Sequence, residues 1–490
     1  MIKKAAIAGA GVIGAGWAAR LAYNGVNVAV YDPAKNAEKD AVEVLANANI
    51  AMEQLINAPP PPRGEVLFYN NIKDAVRDAQ WIIESAPEDM ATKRKAYAAI
   101  ESAAPPDALL SSSTSGILPS QLQENMHHPR RFVVMHPFNP VYLLPLVEVI
   151  GGKQTAPQTT KRAAKYCRFL GMHPMVIEKE VPAFVADRLL ESLWREALWL
   201  VKDGIATTAQ IDDAVRMGFG LRWAQMGVFE TYRAGGGKGG MRHFLRQFAP
   251  ALQWPWSKLT NVPKMDESFI GKLAEQSDVQ SGMMTAAQLA RLRDGNLTAI
   301  LRALRAKESG AGKILADYET QLHLRAPKVR TFDNKPVRTF SQLIPQEWTD
   351  HNGHVNESRY LQCFSEASDE LMRLIGADMA YIKGGKSYFT AETHICHLSE
   401  VCAGQRVFAD TQVLAAGKKL HLFHRLFLHD KNPTLLATGE HLLLHVNMQT
   451  RRVCEPDKNI LKKATALAKA HSQLPPPQQL GRAITITPGG

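Results

Sequence analysis

The sequence predicts an α/β domain with a doubly wound parallel sheet, followed by an all-helical domain and a C-terminal α+β domain. The first part of this prediction rests on alternation. Short buried apolar strands are separated by helical stretches, which is typical of a doubly wound sheet. These strand-like runs cover residues 5–8, 26–31, 81–84, 108–110 and 132–135.

The other two units are predicted from changes in the character of the chain. From about residue 182 long amphipathic segments follow, clearest at 183–201 and 208–217, and helical character continues to about residue 322. After a polar stretch, one helical segment at 357–375 precedes strand-like runs at 388–398, 405–415, 420–429 and 435–447, which is typical of an α+β domain. The predicted bounds are 1–180, 181–325, a linker at 326–334, 335–465, and a disordered, proline-containing tail at 466–490.

A glycine-rich turn follows the first predicted strand. Gly9, Gly11 and Gly14 stand between this strand and a helix, and Asp32 ends the next strand. In a Rossmann domain the first glycine permits the tight turn, the second admits the pyrophosphate, and the third allows close packing of helix and strand. Asp32 is placed to accept hydrogen bonds from the adenosine ribose, and its charge would repel a 2′-phosphate. The sequence therefore predicts an NAD site, with the helix N-terminus at Val12 and Ile13 facing the pyrophosphate. A purely structural turn is the alternative.

Composition narrows the class of protein further. The 490 residues carry a net charge of +11, but the basic residues are spread along the chain and no nucleic-acid motif accompanies them, so nucleic-acid binding is not expected. A basic surface also attracts anionic cofactors such as NAD or coenzyme A thioesters. No apolar run approaches the length of roughly 18 residues that a membrane helix needs. The five cysteines are scattered without metal-ligand spacing, which predicts a cytoplasmic protein without a metal site.

A histidine and a glutamate are the candidate catalytic pair. His136 follows a buried strand, at the sheet edge where ligands meet open α/β sheets, and Glu148 lies in the apolar run 146–150. Oxidation of a secondary alcohol needs a base for the hydroxyl proton while hydride leaves the carbon. A glutamate on the second ring nitrogen would fix the tautomer of that base and stabilise the imidazolium. Singly, each residue is more often structural.

Residues 1 to about 320 resemble the 3-hydroxyacyl-CoA dehydrogenase superfamily. The resemblance runs through Ser113-Thr-Ser115, His136-Pro-Phe-Asn-Pro, Leu146-Val-Glu-Val and Pro182-Ala-Phe-Val-Ala-Asp-Arg-Leu. It implies His136 as base, Glu148 as its partner, Ser115 and Asn139 as polar groups near the substrate, and Glu88 and Lys93 along the cofactor. Asp187 departs from the asparagine usual in the family, which hints at a substrate other than an acyl-CoA.

The helical half carries a closer resemblance, to the L-carnitine 3-dehydrogenases, over residues 218–233. It implies NAD-dependent oxidation of L-carnitine to 3-dehydrocarnitine. A quaternary ammonium donates no hydrogen bonds and is best held by aromatic faces. Trp223, Phe229 and Tyr232 are therefore candidate wall residues, with Glu230 as counter-charge and Arg222 as partner of the substrate carboxylate. Spacing alone leaves open whether these aromatics belong to a cage or to the helix core.

Residues 335–465 resemble the hot-dog-fold acyl-CoA thioesterases. The resemblance rests on the segment Asp350-His-Asn-Gly-His354-Val-Asn356 directly before the predicted helix. It implies Asp350 as nucleophile or water-activating base, His354 and Asn356 as weaker candidates, and helix amides that polarise the thioester carbonyl. An Asp-x-x-Gly turn is the structural alternative for Asp350. Fused carnitine dehydrogenases of this layout resemble enzymes whose second activity hydrolyses betainyl-CoA to glycine betaine.

Two further expectations follow. Hot-dog domains pair, so a homodimer is expected. The alternative function is a different 3-hydroxyacyl-CoA or sugar-acid 3-dehydrogenase, with the C-terminal domain serving only in dimerisation.

Overall fold

The computed structural model describes residues 2–482 except 236, 249–256, 258–262, 281, 283 and 326–333. It divides into two compact units, Met1–Ala326 and Pro327–Gly490. The predicted linker at 326–334 lies, apart from residue 334, outside the described residues. In the described part of the chain, none of the helices combines the length and apolar character needed to cross a membrane.

An eight-stranded sheet forms the centre of the first unit. Its spatial order is β3-β2-β1-β4-β5-β6-β7-β8. Strands β1 to β6 pair in parallel, in the order typical of doubly wound dinucleotide-binding sheets, which confirms the predicted fold class. The strands are β1 (Lys4–Ala8), β2 (Asn27–Tyr31), β3 (Val66–Tyr69), β4 (Trp81–Glu84), β5 (Leu109–Ser112), β6 (Phe132–Pro137), β7 (Leu146–Ile150) and β8 (His173–Ile177).

The sheet reverses direction at β7, which lies in an apolar run beyond the predicted parallel strands. β7 runs antiparallel to β6, and β8 runs parallel to β7. A parallel crossover needs a dozen or more residues, and the connection from Pro137 to Leu146 is shorter than that. The reversal has a direct consequence for the site, because it makes His136 and Glu148 cross-strand partners.

Helices cover both faces of this sheet. They are α1 (Val12–Tyr23), α2 (Ala37–Leu55), α3 (Ile72–Val76), α4 (Met90–Glu101), α5 (Pro119–Leu122) and α6 (Pro157–Phe169). Adjacent residues of a strand point to opposite faces, so Ile82 and Ile83 of β4 belong to two different apolar clusters. Such two-sided burial explains why the strands appear in the sequence as continuous apolar runs.

The rest of the first unit is helical, as predicted. It contains α7 (Ala186–Lys202), α8 (Thr208–Ala214), a π-helical turn at Val215–Phe219, α9 (Gly220–Gly235), α10 (Gly240–Phe248), α11 (Glu267–Gln280), α12 (Ala286–Ala306) and α13 (Ala311–Arg325). Leu301 of α12 and Leu322 of α13 share an apolar cluster with Leu55 of α2. The last two helices therefore pack back onto the α/β part.

The second unit is an antiparallel sheet with one long helix packed on it. The helix α14 (Glu357–Ile375) begins at Asn356, whose side chain accepts from the Ser358 amide, and ends at Gly376 with a φ of +99°. Phe364 and Ala367 of this helix pack on the sheet residues Val407 and Leu426. The spatial order is β10-β13-β12-β11-β9, with β14 on β13. The other elements are β9 (Val337–Leu343), α15 (Met379–Lys383), β10 (Lys386–His397), β11 (Arg406–Ala415), β12 (Lys419–Leu428), β13 (Leu435–Asn447), β14 (Arg452–Val453) and α16 (Lys458–His471).

The chain differs from the prediction where a disordered tail was expected from residue 466. Helix α16 continues to His471, and the structure is described as far as residue 482. Leu467 and His471 are buried, and the ring of His471 accepts a hydrogen bond from the Val413 amide of β11 at 2.8 Å. These contacts hold the end of the helix in place. The prediction of disorder rested on the proline-rich composition, which gives no sign of such contacts. Residues 483–490 of the predicted tail lie outside the described part.

Candidate active sites

The glycine-rich turn is packed too closely at Gly9 and Gly14 for any larger residue. Gly9 has a φ of +107°, and a Cβ there would lie 2.5 Å from the carbonyl oxygen of Ser85. A Cβ on Gly14 would lie 1.8 Å from the carbonyl oxygen of Gly9. A Cβ on Gly11 would meet nothing within 4 Å. The turn is therefore closed on the protein side and open at Gly11, as close approach of a pyrophosphate to the backbone requires.

The start of α1 is arranged to bind an anion. Gly11 provides no side-chain cap, and Val12 is 54% exposed. The first-turn amides and the positive end of the helix dipole are thus available to a phosphate group. Asp32 lies beside the turn, where one oxygen accepts from the Ala10 amide at 2.7 Å and the other from the Ala34 amide at 2.8 Å. These bonds fix the carboxylate and leave it lone pairs for ribose hydroxyls, so the residues present fit NAD.

Lys93 lies inside the protein and not along an open surface. Its side chain is 1% exposed, and its Nζ lies 2.8 Å from Glu84, 3.1 Å from the Ala86 carbonyl and 3.3 Å from Glu88. Its three protons therefore all have acceptors within the protein. Lys93 joins the end of β4 to the loop that carries Glu88, and its place along the cofactor stays a prediction.

Glu88 is held by the segment that carries Ser115. One oxygen of Glu88 accepts from the Thr114 hydroxyl, from the Ser115 amide at 3.1 Å and from the Gly116 amide at 3.3 Å. Burial acts to raise the pKa of Glu88, but the hydrogen bond from Thr114 and the Lys93 charge outweigh it, so this pKa is lowered. The result is a fixed anion next to Ser115, which is itself exposed.

His136 and Glu148 form a buried pair across β6 and β7. The ring Nδ1 lies 2.9 Å from one oxygen of Glu148. The other oxygen accepts from the Val185 amide at 2.9 Å and the Ala186 amide at 3.0 Å, at the start of α7. Burial acts to raise the pKa of Glu148, but these hydrogen bonds lower it overall. An ionised Glu148 accepts the proton of Nδ1, which leaves the Nε2 lone pair of a neutral His136 free to act as a base.

A tight turn before α7 brings these amides to Glu148. Ala183 and Phe184 have φ values of 57° and 50°, a region that side-chain-bearing residues seldom occupy. Two such residues in succession cost energy, and their clustering at a site indicates a functional constraint. The Phe184 ring is fully buried, with its centroid 5.7 Å from that of His136. The turn thus positions both the amides that bind Glu148 and a wall of the histidine pocket.

Asp187 lies on the other side of the histidine. Its Oδ2 is 3.6 Å from Nε2 of His136, and its side chain is 18% exposed. Burial raises the pKa of Asp187, the His136 ring opposes this, and the carboxylates of Glu148, Glu191 and Glu88 add to the rise. The imidazole therefore stands between two carboxylates. Asn139, three residues after His136 in the sequence, is exposed.

The candidate residues of α9 are mostly exposed. Phe229 is 79% exposed, Trp223 packs on Phe219 at a centroid distance of 4.5 Å, and Tyr232 stacks on Phe244 at 4.8 Å. Arg222 and Glu230 are exposed as well. A break at Gly227, with a φ of +71°, separates the two ends of the helix. Among the described residues, Trp223, Phe229 and Tyr232 make ring contacts with other aromatics or with none, and not with one another.

The second candidate site lies at the start of α14. Asp350 sits in a tight turn, where its Oδ1 accepts from the Asn352 amide at 2.8 Å and its carbonyl from the Gly353 amide at 3.0 Å. Gly353 has a φ of +80°, so a glycine suits this position. The side chain of Asn356 accepts from both the amide and the hydroxyl of Ser358. Asn356 therefore caps the helix, and Asp350 presents a half-buried carboxylate close to the helix N-terminus.

His354 is oriented by a residue that the sequence had not singled out. Its Nε2 lies 2.8 Å from Glu400 Oε2, and its backbone pairs with Cys402. The partner lies nearly fifty positions away in the chain, so no local pattern could indicate it. Glu84 was missed as well, although an acidic residue at the end of the apolar run 81–84 was a usable signal. It is fully buried and accepts from Tyr97 at 2.6 Å and Ser112 at 2.7 Å.

Comparison with known protein families finds matches in both structural units. Residues 4–181 match the 3-hydroxyacyl-CoA dehydrogenase NAD-binding domain, and residues 184–269 match the C-terminal domain of the same dehydrogenases. Residues 344–464 match the thioesterase-like superfamily. The two dehydrogenase matches fall in the first structural unit and the thioesterase match in the second.

Some curated relatives align over nearly the whole chain, and others align over about its first two thirds. A protein of Ruegeria pomeroyi named L-carnitine dehydrogenase/betainyl-CoA thioesterase is 50% identical over 483 residues, covering 98% of this chain and 99% of that protein. A protein of the same name from Rhizobium meliloti is 46% identical over 491 residues, covering 99% of each chain. An L-carnitine dehydrogenase of Pseudomonas aeruginosa is 48% identical over 316 residues, covering 64% of this chain and 98% of its own length.

A solved structure resembles the first unit. The crystal structure of 5-formyl-3-hydroxy-2-methylpyridine 4-carboxylic acid 5-dehydrogenase, described as an NAD⁺-dependent dismutase, matches with a TM-score of 0.54 and 33% identity. The match covers 62% of this chain and 99% of that one. It supports the Rossmann-plus-helical architecture of the first unit.

Proposed function

The chain belongs to the family of L-carnitine dehydrogenase/betainyl-CoA thioesterases, and we propose that it carries out both reactions. The first unit oxidises the 3-hydroxyl of L-carnitine to 3-dehydrocarnitine with NAD. The second hydrolyses betainyl-CoA to glycine betaine and coenzyme A. Relatives that carry this double name align over the whole chain, which favours this function over the alternative in which the C-terminal domain only dimerises.

One observation carries the dehydrogenase assignment: His136 is bound at Nδ1 by the buried Glu148, and its Nε2 makes no hydrogen bond to the described residues. This is the arrangement that a general base requires. Nε2 takes the proton of the C3 hydroxyl, and Glu148 stabilises the imidazolium that forms. NAD, when bound, supplies the hydride acceptor at C4 of its nicotinamide ring. Gly9, Gly11, Gly14 and Asp32 would hold it, with Val12 and Ile13 at the pyrophosphate.

We propose Ser115, Asn139 and Asp187 as the polar groups around the substrate, since they belong to the same end of the sheet or to the start of α7. Glu88 would border the cofactor, and Lys93 would act by positioning Glu88. The residues on α9 remain predictions for binding of the carboxylate and the ammonium group. They are Arg222, Trp223, Phe229, Glu230 and Tyr232. Single alanine variants at these five positions, assayed for the KM of L-carnitine, would separate binding residues from surface residues.

The test of the first activity is NADH formation. Purified protein is mixed with NAD and L-carnitine, with D-carnitine, 3-hydroxybutyrate, L-gulonate and 3-hydroxybutyryl-CoA as comparisons. We expect turnover of L-carnitine, and a loss of about 100- to 10,000-fold in kcat for His136→Ala. His173, at the exposed start of β8, provides a matched control, because His173→Ala should leave the rate unchanged. Oxidation of another 3-hydroxy compound without turnover of L-carnitine would overturn the substrate assignment.

The thioesterase proposal rests on Asp350 beside the N-terminus of α14. A carboxylate there can attack a thioester carbonyl or activate water, and the helix amides and dipole stabilise the developing oxyanion. Release of coenzyme A from betainyl-CoA is measured with a thiol reagent. Asp350→Ala should abolish this release and leave carnitine oxidation intact. Thioester turnover that is unchanged in Asp350→Ala would favour a dimerisation role for the second unit.

We also propose that the protein is a homodimer. Strand β10 lies at the edge of the sheet, and a run of residues in its middle is exposed in the single chain. A long strand with one unpaired edge is a template for pairing with a second copy. Light scattering coupled to gel filtration measures the mass, and a mass of one chain at micromolar concentration would contradict this proposal.

A cytoplasmic location is proposed from the cysteines. All five are free, and Cys167 and Cys363 are buried. Burial raises the pKa of the Cys167 thiol to about 12, which keeps that thiol protonated and unreactive. Free thiols of this kind suit a reducing compartment. Fractionation of the native cells would locate the protein.

A further inference from the structure

We propose that Asp187 determines the substrate charge at the dehydrogenase site: it pairs with the quaternary ammonium of the hydroxy acid and makes the enzyme prefer a cationic substrate over an uncharged one of the same shape. The inference rests on the proposed oxidation of L-carnitine and deepens it. It assigns Asp187 a role in specificity, distinct from the base role of His136 and the orienting role of Glu148.

The position of Asp187 carries the argument. Its Oδ2 lies 3.6 Å from Nε2 of His136, the nitrogen that must meet the C3 hydroxyl. This distance is too long for a hydrogen bond. Within the described residues no donor binds either oxygen of Asp187, and the side chain is partly open to solvent, at 18% exposure. The carboxylate is therefore adjacent to the reacting hydroxyl and available to a ligand.

The covalent structure of the substrate brings its cation to this carboxylate. In L-carnitine the ammonium nitrogen is attached to C4, next to the carbon that bears the hydroxyl. Standard bond lengths place the nitrogen roughly 3 Å from the hydroxyl oxygen in a gauche conformer. When that oxygen binds Nε2, the ammonium nitrogen can therefore lie roughly 4 Å from Oδ2 of Asp187. At that distance the methyl groups on the nitrogen are in contact with the carboxylate oxygen.

The surrounding charges favour a cation at this point. The carboxylates of Glu88, Glu148 and Glu191 all act on Asp187, and their repulsion adds to the burial that raises its pKa. A trimethylammonium group brings a permanent positive charge into this field without N–H donors that would need partners. It would relieve the repulsion, whereas an uncharged tert-butyl group of the same shape would only desolvate the carboxylate.

A role for Asp187 in orienting the histidine is less consistent with the geometry. Glu148 already binds Nδ1 at 2.9 Å and is fixed by two backbone amides. Asp187 makes no hydrogen bond to the ring, so it adds no further orientation. The two carboxylates therefore serve different purposes: Glu148 acts on the base, and Asp187 acts on the substrate.

The experiment compares L-carnitine with its carbon analogue, 3-hydroxy-5,5-dimethylhexanoate, in which a tert-butyl group replaces trimethylammonium. The variant Asp187→Asn keeps the shape of the side chain and removes its charge. We expect the wild-type protein to prefer carnitine in kcat/KM. In D187N this preference should fall by about tenfold to a hundredfold, because a partly buried charge pair at contact distance supports selectivity of that order. The loss should appear mainly as a higher KM for carnitine.

Asp213→Asn is the matched control. Asp213 lies in α8, is about half exposed and pairs with Arg216, so D213N makes the same Asp-to-Asn change outside the group of carboxylates around Asp187. It should leave the preference within about twofold. An equal loss of kcat for both substrates in D187N would show a role in orienting His136 and overturn the proposal. So would an unchanged preference.

The wild-type protein separates this inference from the function on which it rests. The proposed function fails if the wild-type protein oxidises neither compound. It also fails if the wild-type protein oxidises only the analogue. If it oxidises carnitine and D187N keeps the full preference, the function stands and only the role of Asp187 fails.

Discussion

Glu148→Gln removes the charge of the buried glutamate without changing its size, and we expect it to leave His136 with its proton on the wrong nitrogen. One oxygen of Glu148 accepts from two backbone amides, at 2.9 and 3.0 Å, and the other faces Nδ1. A glutamine must place its single oxygen at the two amides, because its NH₂ group cannot accept from them. The NH₂ group then faces Nδ1, which must accept from it. The neutral ring carries its proton on Nε2 and has no lone pair for the substrate.

The magnitude follows from this geometry. With the base lone pair occupied, the whole contribution of general-base catalysis is lost, which is about 100- to 10,000-fold in kcat. The corresponding Asp→Asn change in a Ser-His-Asp triad costs about 10,000-fold, so we expect the upper part of this range. Both backbone amides keep their acceptor, and the fold should therefore be retained.

The assay measures kcat for L-carnitine at saturating NAD across pH 6 to 10, with NAD affinity measured separately by fluorescence titration. NAD binding should be unchanged, because Glu148 lies away from the glycine turn on a different strand. E191Q, which removes a carboxylate from the next turn of α7, should keep wild-type kcat. A folded E148Q protein with kcat within about threefold of the wild type would refute the tautomer argument, since general-base loss cannot be that small.

Further predictions concern the cofactor turn and the second unit. Gly14→Ala places a Cβ 1.8 Å from the Gly9 carbonyl oxygen, so the Kd for NAD should rise at least about tenfold in fluorescence titration; Gly271→Ala, at a helical position with nothing within 4 Å, should leave it unchanged. His441 is buried, both its ring nitrogens lack partners among the described residues, and burial lowers its pKa from 6.5 to about 4. The folded state thus resists a proton that the unfolded chain accepts, so stability is full above pH 6.5 and falls as the pH drops toward 4, with about 2 kcal/mol lost between pH 7 and pH 5. His441→Leu should reduce this loss of stability. The measurement is denaturant-dependent hydrogen exchange in β12 and β13, and a pH dependence that is unchanged in the variant would show that His441 is not its cause.

Local sequence patterns were enough to predict the parallel strands, because the burial of each strand shows in its own residues. Runs buried on both faces, such as 81–84 and 132–135, indicate a parallel sheet by their composition alone. The reversal at β7 was not predicted, although the connection after Pro137 is too short for a parallel crossover. The helical end of the chain at His471 depended on a contact with Val413 of β11, fifty-eight residues away, which no local pattern reveals.

The candidate site was predictable in part for the same reason. His136 and Glu148 are twelve positions apart, and both follow the rules of strand ends and apolar runs. The acceptors of Lys93 were not predictable, because a lysine in an amphipathic helix appears exposed until its partner Glu84 on the neighbouring strand is known. The aromatics of α9 have the residue types that suit an ammonium site, and their part in binding stays a prediction.

The start of α7 contributes both to the base and to the proposed partner of the substrate charge. Its first amides bind Glu148, and its first turn carries Asp187, so one helix N-terminus supports a carboxylate on each side of His136. The positive end of the helix dipole favours both anions, which for Asp187 opposes the burial that raises its pKa. The segment before it is held in an unfavourable backbone conformation at Ala183 and Phe184. A movement of this turn would therefore change the base and the substrate charge partner together, and variants that relax it, such as Ala183→Gly, should alter kcat and the KM for carnitine jointly.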